Sequence, residues 1–96
     1  MAAGDVANFG PTSTANGSFL DLQPSAGVEV VIHNIGYAGA MELYYYDGAN
    51  SVKMDEDATA GSRMAVFLHC TNSKYYRIKN VSGGTVYLSA DGMQTK

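Results

Sequence analysis

The sequence has little charge, one cysteine and no long apolar run. Asp, Glu, Lys and Arg make up 16% of its residues, against roughly 25% in a typical soluble domain. That deficit excludes a coiled coil and a highly charged disordered tail. Cys70 is the only cysteine and cannot close a disulfide within the chain, so the fold has to stand without one. No apolar stretch approaches the ~20 residues that a membrane helix needs, and no membrane partner is expected. Six Lys and Arg against nine Asp and Glu leave a net charge of −3. With no basic stripe, no nucleic-acid partner is expected either. There is no nucleophile elbow, glycine-rich phosphate loop or HExxH pair, so the chain reads as a non-enzyme without a cofactor. Met1 to Val6 lacks the basic and apolar regions of a signal peptide, which predicts synthesis in the cytoplasm.

What is abundant is small and polar. Gly, Ser, Thr and Asn supply 31 of 96 residues, and seven of the ten aromatic residues are Tyr. This composition fits a single turn-rich all-β domain whose core is marginal, burying about 60–65% of its unfolded surface. Charge is unevenly placed: residues 1–50 hold five acids and no Lys or Arg, while all six cations lie between Lys53 and Lys96. Such a split can be chance in a charge-poor chain, or an acidic and a basic face that meet on neighbouring copies. Asn16-Gly-Ser and Asn80-Val-Ser match the glycosylation sequon but read as turn residues.

Residues 1–17 read as an N-terminal arm, with Val6, Phe9 and Pro11 as its contact residues, either mobile or laid on another surface. A single β-domain follows over residues 18–96. Phe19–Leu22 is a first short strand. Val28–Ile35 is β-branched, with Val28, Val30 and Ile32 on one face. In Met41–Tyr46, alternation places Met41, Leu43 and Tyr45 inward and Glu42, Tyr44 and Tyr46 outward. Asp47-Gly-Ala-Asn50 is a turn, and Ser51–Met54 returns. Asp55–Gly61 reads as an acidic loop. Arg63–Cys70, the most apolar run, reads as a central strand. Tyr75–Lys79 and Thr85–Ser89 flank a hairpin loop at Val81–Gly84, with Lys74, Arg77 and Lys79 marking a solvated edge strand. Asp91-Gly92 reads as a last turn. The expectation is a small antiparallel sandwich or barrel of about seven short strands with an extended N-terminal arm.

Candidate chemistry is sparse. His33 and His69 sit inside strands, and His69 and Cys70, as strand neighbours, point to opposite faces, so they lack metal-site spacing. Asp55, Glu56 and Asp57 are three consecutive acids without an EF-hand pattern, and no metal is expected. Tyr44 and Tyr46 form an outward stripe suited to a protein interface or a sugar platform, or to cross-strand packing on one sheet.

Residues 27–96 carry a resemblance, through Val28–Ile35, Glu42–Ser51, Phe67–Asn80 and Val86–Lys96. In size and style these segments are similar to the small β-sandwich capsid decoration (cement) proteins of tailed bacteriophages. The resemblance implies a structural virion protein, made in the host cytoplasm, that binds the major capsid protein of an assembled head and bridges its subunits. It also implies a homo-oligomer, with a trimer favoured, and an arm reaching a neighbour. The alternatives are a carbohydrate-binding β-sandwich module and a phage tail or fibre component.

Overall fold

The computed structural model describes residues 3–96 and contains nine strands and no helix among them. The strands are β1 (Val6–Thr14), β2 (Phe19–Asp21), β3 (Val30–Tyr37), β4 (Met41–Tyr46), β5 (Ser51–Asp57), β6 (Gly61–Arg63), β7 (Leu68–Cys70), β8 (Tyr75–Asn80) and β9 (Val86–Gln94). They form two antiparallel sheets. Sheet A runs β1-β9-β3, with β6 and β7 both pairing the far side of β3. Sheet B runs β2-β8-β4-β5. The result is a small sandwich, with Val30, Ile32, Ile35, Leu88 and Ala90 of sheet A facing Met41, Leu43 and Ile78 of sheet B. Two-residue alternation of β-branched and polar side chains drives this layering.

Several segments depart from the sequence expectation. The described part of residues 1–17 is not a separate arm, because Val6–Thr14 pairs along β9 as an edge strand of sheet A. Backbone pairing needs no apolar side chains, so a segment poor in anchors still adds to a sheet. Its buried contacts are Ala7 and Thr14, while Val6 is exposed and Phe9 half-buried. Residues 1 and 2 of the expected arm lie outside the described residues. Asp55–Asp57 continues β5 instead of forming a loop. Tyr75–Lys79 is an interior strand between β2 and β4, not an edge. Val81–Gly84 is no hairpin loop, since β8 belongs to sheet B and β9 to sheet A. Three of the six cations of the second half of the chain pair with acids of the first half. Arg77 meets Asp21 at 2.8 Å, Lys53 meets Glu42 at 3.6 Å, and Lys96 meets Glu29 at 3.6 Å. The charge split is thus closed in part within one molecule.

Asp91-Gly92, expected as a turn, lies within β9 and faces a bulge in β3. Ile32 pairs with Gly92 and Asn34 with Asp91, which leaves His33 as the extra residue. A Cβ on Gly92 would lie 1.9 Å from the Val31 carbonyl oxygen and 2.7 Å from the Ile32 Cα. Glycine is needed here for close approach of two backbones, not for its φ. The bulge reverses the side-chain alternation of β3, so that Val30 and Ile32 before it and Ile35 and Tyr37 after it all face the core.

Two polar ties cross between the sheets. Asn80, fully buried at the end of β8, donates from Nδ2 to the carbonyls of Thr14 and Gly84, both at 2.7 Å. Its Oδ1 accepts from the Ser82 N–H at 2.9 Å and the Ser82 hydroxyl at 2.7 Å. One amide thereby fixes the end of β1 and the crossing from β8 to β9. At the other side the Tyr37 hydroxyl donates to Asp57 Oδ2 at 2.7 Å, beside an Arg63–Asp55 ion pair at 3.2 Å. Burial, together with that hydrogen bond, raises the Tyr37 phenol above its ordinary range. The same bond, aided by the Thr59 N–H, holds the Asp57 carboxyl below its own. On the outer face of sheet B, Tyr44 donates to Glu42 at 2.6 Å, lowering the carboxyl and raising the phenol.

Gly92→Ala should cost at least about 3 kcal/mol of unfolding free energy, because backbone must move to admit the methyl group. Asn80→Ala should cost about 3 kcal/mol by leaving the carbonyls and the Ser82 amide without their partner. Urea melts measure both, and a loss below ~1 kcal/mol in either would contradict its assigned role. The pH dependence has a definite sign. Asp57 and Glu42 titrate lower in the folded state, so their contribution is present above the unfolded carboxylate range of about 4 and is lost as pH falls through the folded values. Tyr37 and Tyr44 titrate higher in the folded state, so theirs is complete below about pH 10 and is lost as pH rises through the folded values. The melting temperature should therefore hold across neutral pH and fall at both ends. Tyr37→Phe with Tyr44→Phe should flatten both limbs in thermal melts followed by circular dichroism.

Candidate interaction surface

The two outer faces of the sandwich differ in chemistry. On sheet B the outward residues form a half-buried layer of rings and charges. Tyr44 and Tyr46 share this face with Glu42, opposite the buried Met41 and Leu43. Tyr45, on the inward side, is half-buried and packs on Tyr76 with ring centroids 5.0 Å apart. The Arg77 guanidinium lies over both Phe19 (4.0 Å) and Tyr46 (4.5 Å). Phe19 meets Tyr44 edge-on at 5.8 Å, and Tyr46 meets Tyr75 edge-on at 5.5 Å. Each cation–π contact of this kind contributes about 1 kcal/mol when partly desolvated. Both stripe tyrosines are thus engaged by their own sheet: Arg77 covers a face of Tyr46, and the Tyr44 hydroxyl is held by Glu42.

The outer face of sheet A is different. Val6, Met93, Val31 and His69 stand in one register row across β1, β9, β3 and β7. Phe67 is two residues from His69 and meets His33 edge-on at 5.3 Å. Tyr87, Ser89 and Asp91 alternate along β9 with the buried Leu88 and Ala90. Of the eight large apolar side chains exposed among the described residues, five belong to this face: Met64 (72%), Phe67 (70%), Val6 (64%), Tyr87 (61%) and Met93 (45%). Among the described residues, Asp91 is the only acid at the strand positions that face outward here, and those positions include no Lys or Arg. Methionine and aromatic side chains without charge are the composition of an interface centre, and an apolar patch of this kind on a monomer marks a contact site.

Met64 and Phe67 reach the surface because Arg63–Cys70 is not a central strand. The run breaks into β6 and β7, which pair β3 on either side of the His33 bulge. The four residues between them bow outward, with Ala65 in the left-handed region at φ 59°. Three contacts from the bulge hold this bow. The Val66 N–H donates to the His33 carbonyl at 2.9 Å, His33 Nδ1 lies 3.2 Å from the Val66 carbonyl, and the Ala65 N–H donates to Asn34 Oδ1 at 3.3 Å.

Of the sequence-derived contact residues, only Val6 lies on this face. Phe9 packs against the core, and Pro11 is exposed at the irregularity in the β1–β9 pairing. Tyr44 and Tyr46 are on the opposite sheet. Hydrophobicity alone assigns Met64 and Phe67 to the core; the sequence signal against it is their position beside Gly61, Ser62 and Ala65 in a run without strict alternation.

Association through strand edges is disfavoured. β1 is interrupted between Phe9 and Thr12, where Pro11 offers no N–H. β5 carries a bulge at Lys53 and Met54, β2 is three residues long, and β6 and β7 are separate short pieces. Short, bulged and charged edges resist edge-to-edge pairing.

His69 is exposed and Cys70 buried, as alternation requires. Burial pushes the Cys70 thiol up to about 11, so it is protonated at neutral pH and not an activated nucleophile. No group of three or more His, Cys, Asp or Glu is arranged to hold a metal ion among the described residues. Comparison with known proteins finds no matching family model and no matching curated protein.

Exposure predicts what these side chains do not contribute. Replacing Met64 and Phe67 together by Ser should change unfolding free energy by less than ~1 kcal/mol, while Ile78→Ala in the core should cost about 2–5 kcal/mol. Urea melts of the two variants compare them directly.

Proposed function

We propose that the chain is a structural virion protein, a capsid decoration protein that docks on the assembled phage head and bridges neighbouring capsid subunits. The outer face of sheet A is its contact surface. The observation that carries this reading is the gathering of five exposed apolar side chains on the one sheet face without Lys or Arg. β1 is part of that face, so the N-terminal segment takes part in docking as a strand and not as a free arm. The face spans about 20 Å along β9 and about 14 Å across four strands. This is less than the ~800 Å² per partner of a stable pairwise interface. Copies held together as a homo-oligomer, a trimer by the resemblance, would bind by adding several such contacts. The charged, ring-covered face of sheet B would then stay toward solvent. The carbohydrate-binding alternative has less support, because Arg77 and Glu42 already occupy Tyr46 and Tyr44.

Particle composition tests the proposal. Gel densitometry of purified virions should show hundreds of copies of the chain per particle. A few copies would assign it to a tail or fibre, and none would remove it from the virion. Met64→Ser with Phe67→Ser should release the protein from heads, while Tyr44→Ala with Tyr46→Ala should leave it bound.

A further inference from the structure

A cavity of about 200 Å³ opens at the centre of the sheet A face, walled by Asn34, Gly36, Ser62, Met64, Ser89 and Asp91. It exists because of the bulge and the bow beside it. The bulge brings Asn34 opposite Asp91, and the bow carries Met64 out to the rim. Gly36 keeps the wall open, since a Cβ there would come within 3.0 Å of the Ser89 Oγ.

The polar groups lining this cavity are the Asp91 carboxylate, the Asn34 amide and the hydroxyls of Ser62 and Ser89. Asp91 is half-buried, and no Lys, Arg or His forms an ion pair with it among the described residues. By contrast Asp21, Glu29, Glu42, Asp55 and Glu56 each have one. The Asn34 amide is oriented at both ends. Its Oδ1 accepts from the Ala65 N–H, and its Nδ2 donates to Asp91 Oδ1 at 2.8 Å. Asp91 Oδ2 and the hydroxyls of Ser62 and Ser89 have no hydrogen-bond partner among the described residues. A carboxylate in the middle of an apolar face becomes costly once that face is covered, unless the covering surface brings a positive charge.

We propose that this cavity receives the ammonium end of a lysine side chain from the protein that covers the face. An ammonium has three rotatable donors, matching one carboxylate and two hydroxyls on different walls. A guanidinium would seek both carboxylate oxygens in one plane, and Asn34 already engages Oδ1. The thioether of Met64 at the rim suits the lysine alkyl stem. A second copy docked by the same face is a poorer occupant, because a two-fold arrangement brings two such faces together with an Asp91 on each and no Lys or Arg on either. The inference rests on the reading of this face as an interface and names the chemistry of the partner.

Titration of ¹⁵N-labelled protein with Nα-acetyl-lysine N-methylamide tests it without any particle. Saturable shifts on the order of millimolar are expected at the amides of Gly36, Ser62, Ser89 and Asp91. The norleucine analogue, which lacks the ammonium, should produce none. Asp91→Asn, nearly isosteric, should keep the wild-type spectrum elsewhere and weaken binding about tenfold. Three results would each overturn the proposal: no shifts with the lysine compound, equal affinity of the Asn variant, or tighter binding of the arginine analogue. So would analytical ultracentrifugation showing a dimer that tightens in Asp91→Asn, since that would make a second copy the occupant. The copy number per virion is measured on the unaltered chain and does not depend on these titrations, so the two readings fail separately.

Discussion

One extra residue in β3 governs most of what is distinctive in this molecule. The His33 bulge lets a single strand present four apolar side chains to one core although they fall in two different phases of the alternation. The bulged backbone needs room, and Gly92 on the neighbouring strand supplies it by having no side chain. On its other edge the bulge leaves β3 unable to carry one continuous partner, so β6 and β7 divide there and the chain between them bows out. The exposed Met64 and Phe67, the orientation of Asn34, and the cavity beside Asp91 are all consequences of that one insertion. A bulge commonly re-aims side chains in this way.

A thin sandwich has a small core, and this one adds polar ties at its margins. Asn80 satisfies all four of its amide hydrogen-bonding positions while buried, so it joins β1 to the β8–β9 crossing without leaving a polar group stranded. Tyr37 and Asp57 do the same across the opposite margin. Long-range ion pairs link residues far apart in sequence, as with Arg77 and Asp21. Exposed pairs of this type contribute little to stability, but two of them, Arg77–Asp21 and Lys53–Glu42, lie on the sheet B face, while the outward strand positions of sheet A carry no Lys or Arg.

That asymmetry separates two surfaces which look alike in composition. Tyr44 and Tyr46 resemble an interface by residue type, yet their rings and hydroxyls are already engaged by Phe19, Tyr75, Arg77 and Glu42. Met64, Phe67, Tyr87 and Met93 are scattered over thirty positions of sequence, and only the antiparallel order β1-β9-β3 with β6 and β7 beyond it gathers them. Free apolar area, not aromatic count, decides which face has binding energy to offer.

The all-β class was legible in the chain itself, because two-residue alternation and β-branched content act locally along each strand. So were the β4–β5 turn at Asp47–Asn50, where Gly48 takes φ 97°, and the outward direction of Tyr44 and Tyr46. Strand neighbours across a sheet are a different matter. That Val6–Thr14 joins β9, that Tyr75–Asn80 is interior, and that Val81–Gly84 crosses between sheets depend on contacts between distant residues, and local pattern carries no information about them. The apolar run Arg63–Cys70 shows the limit most clearly. Its hydrophobicity predicts burial, but its place opposite a bulge on another strand exposes Met64, Ala65 and Phe67 while Cys70 stays buried, because the geometry of β3 and Gly92, rather than its own residues, determines how far it can pair.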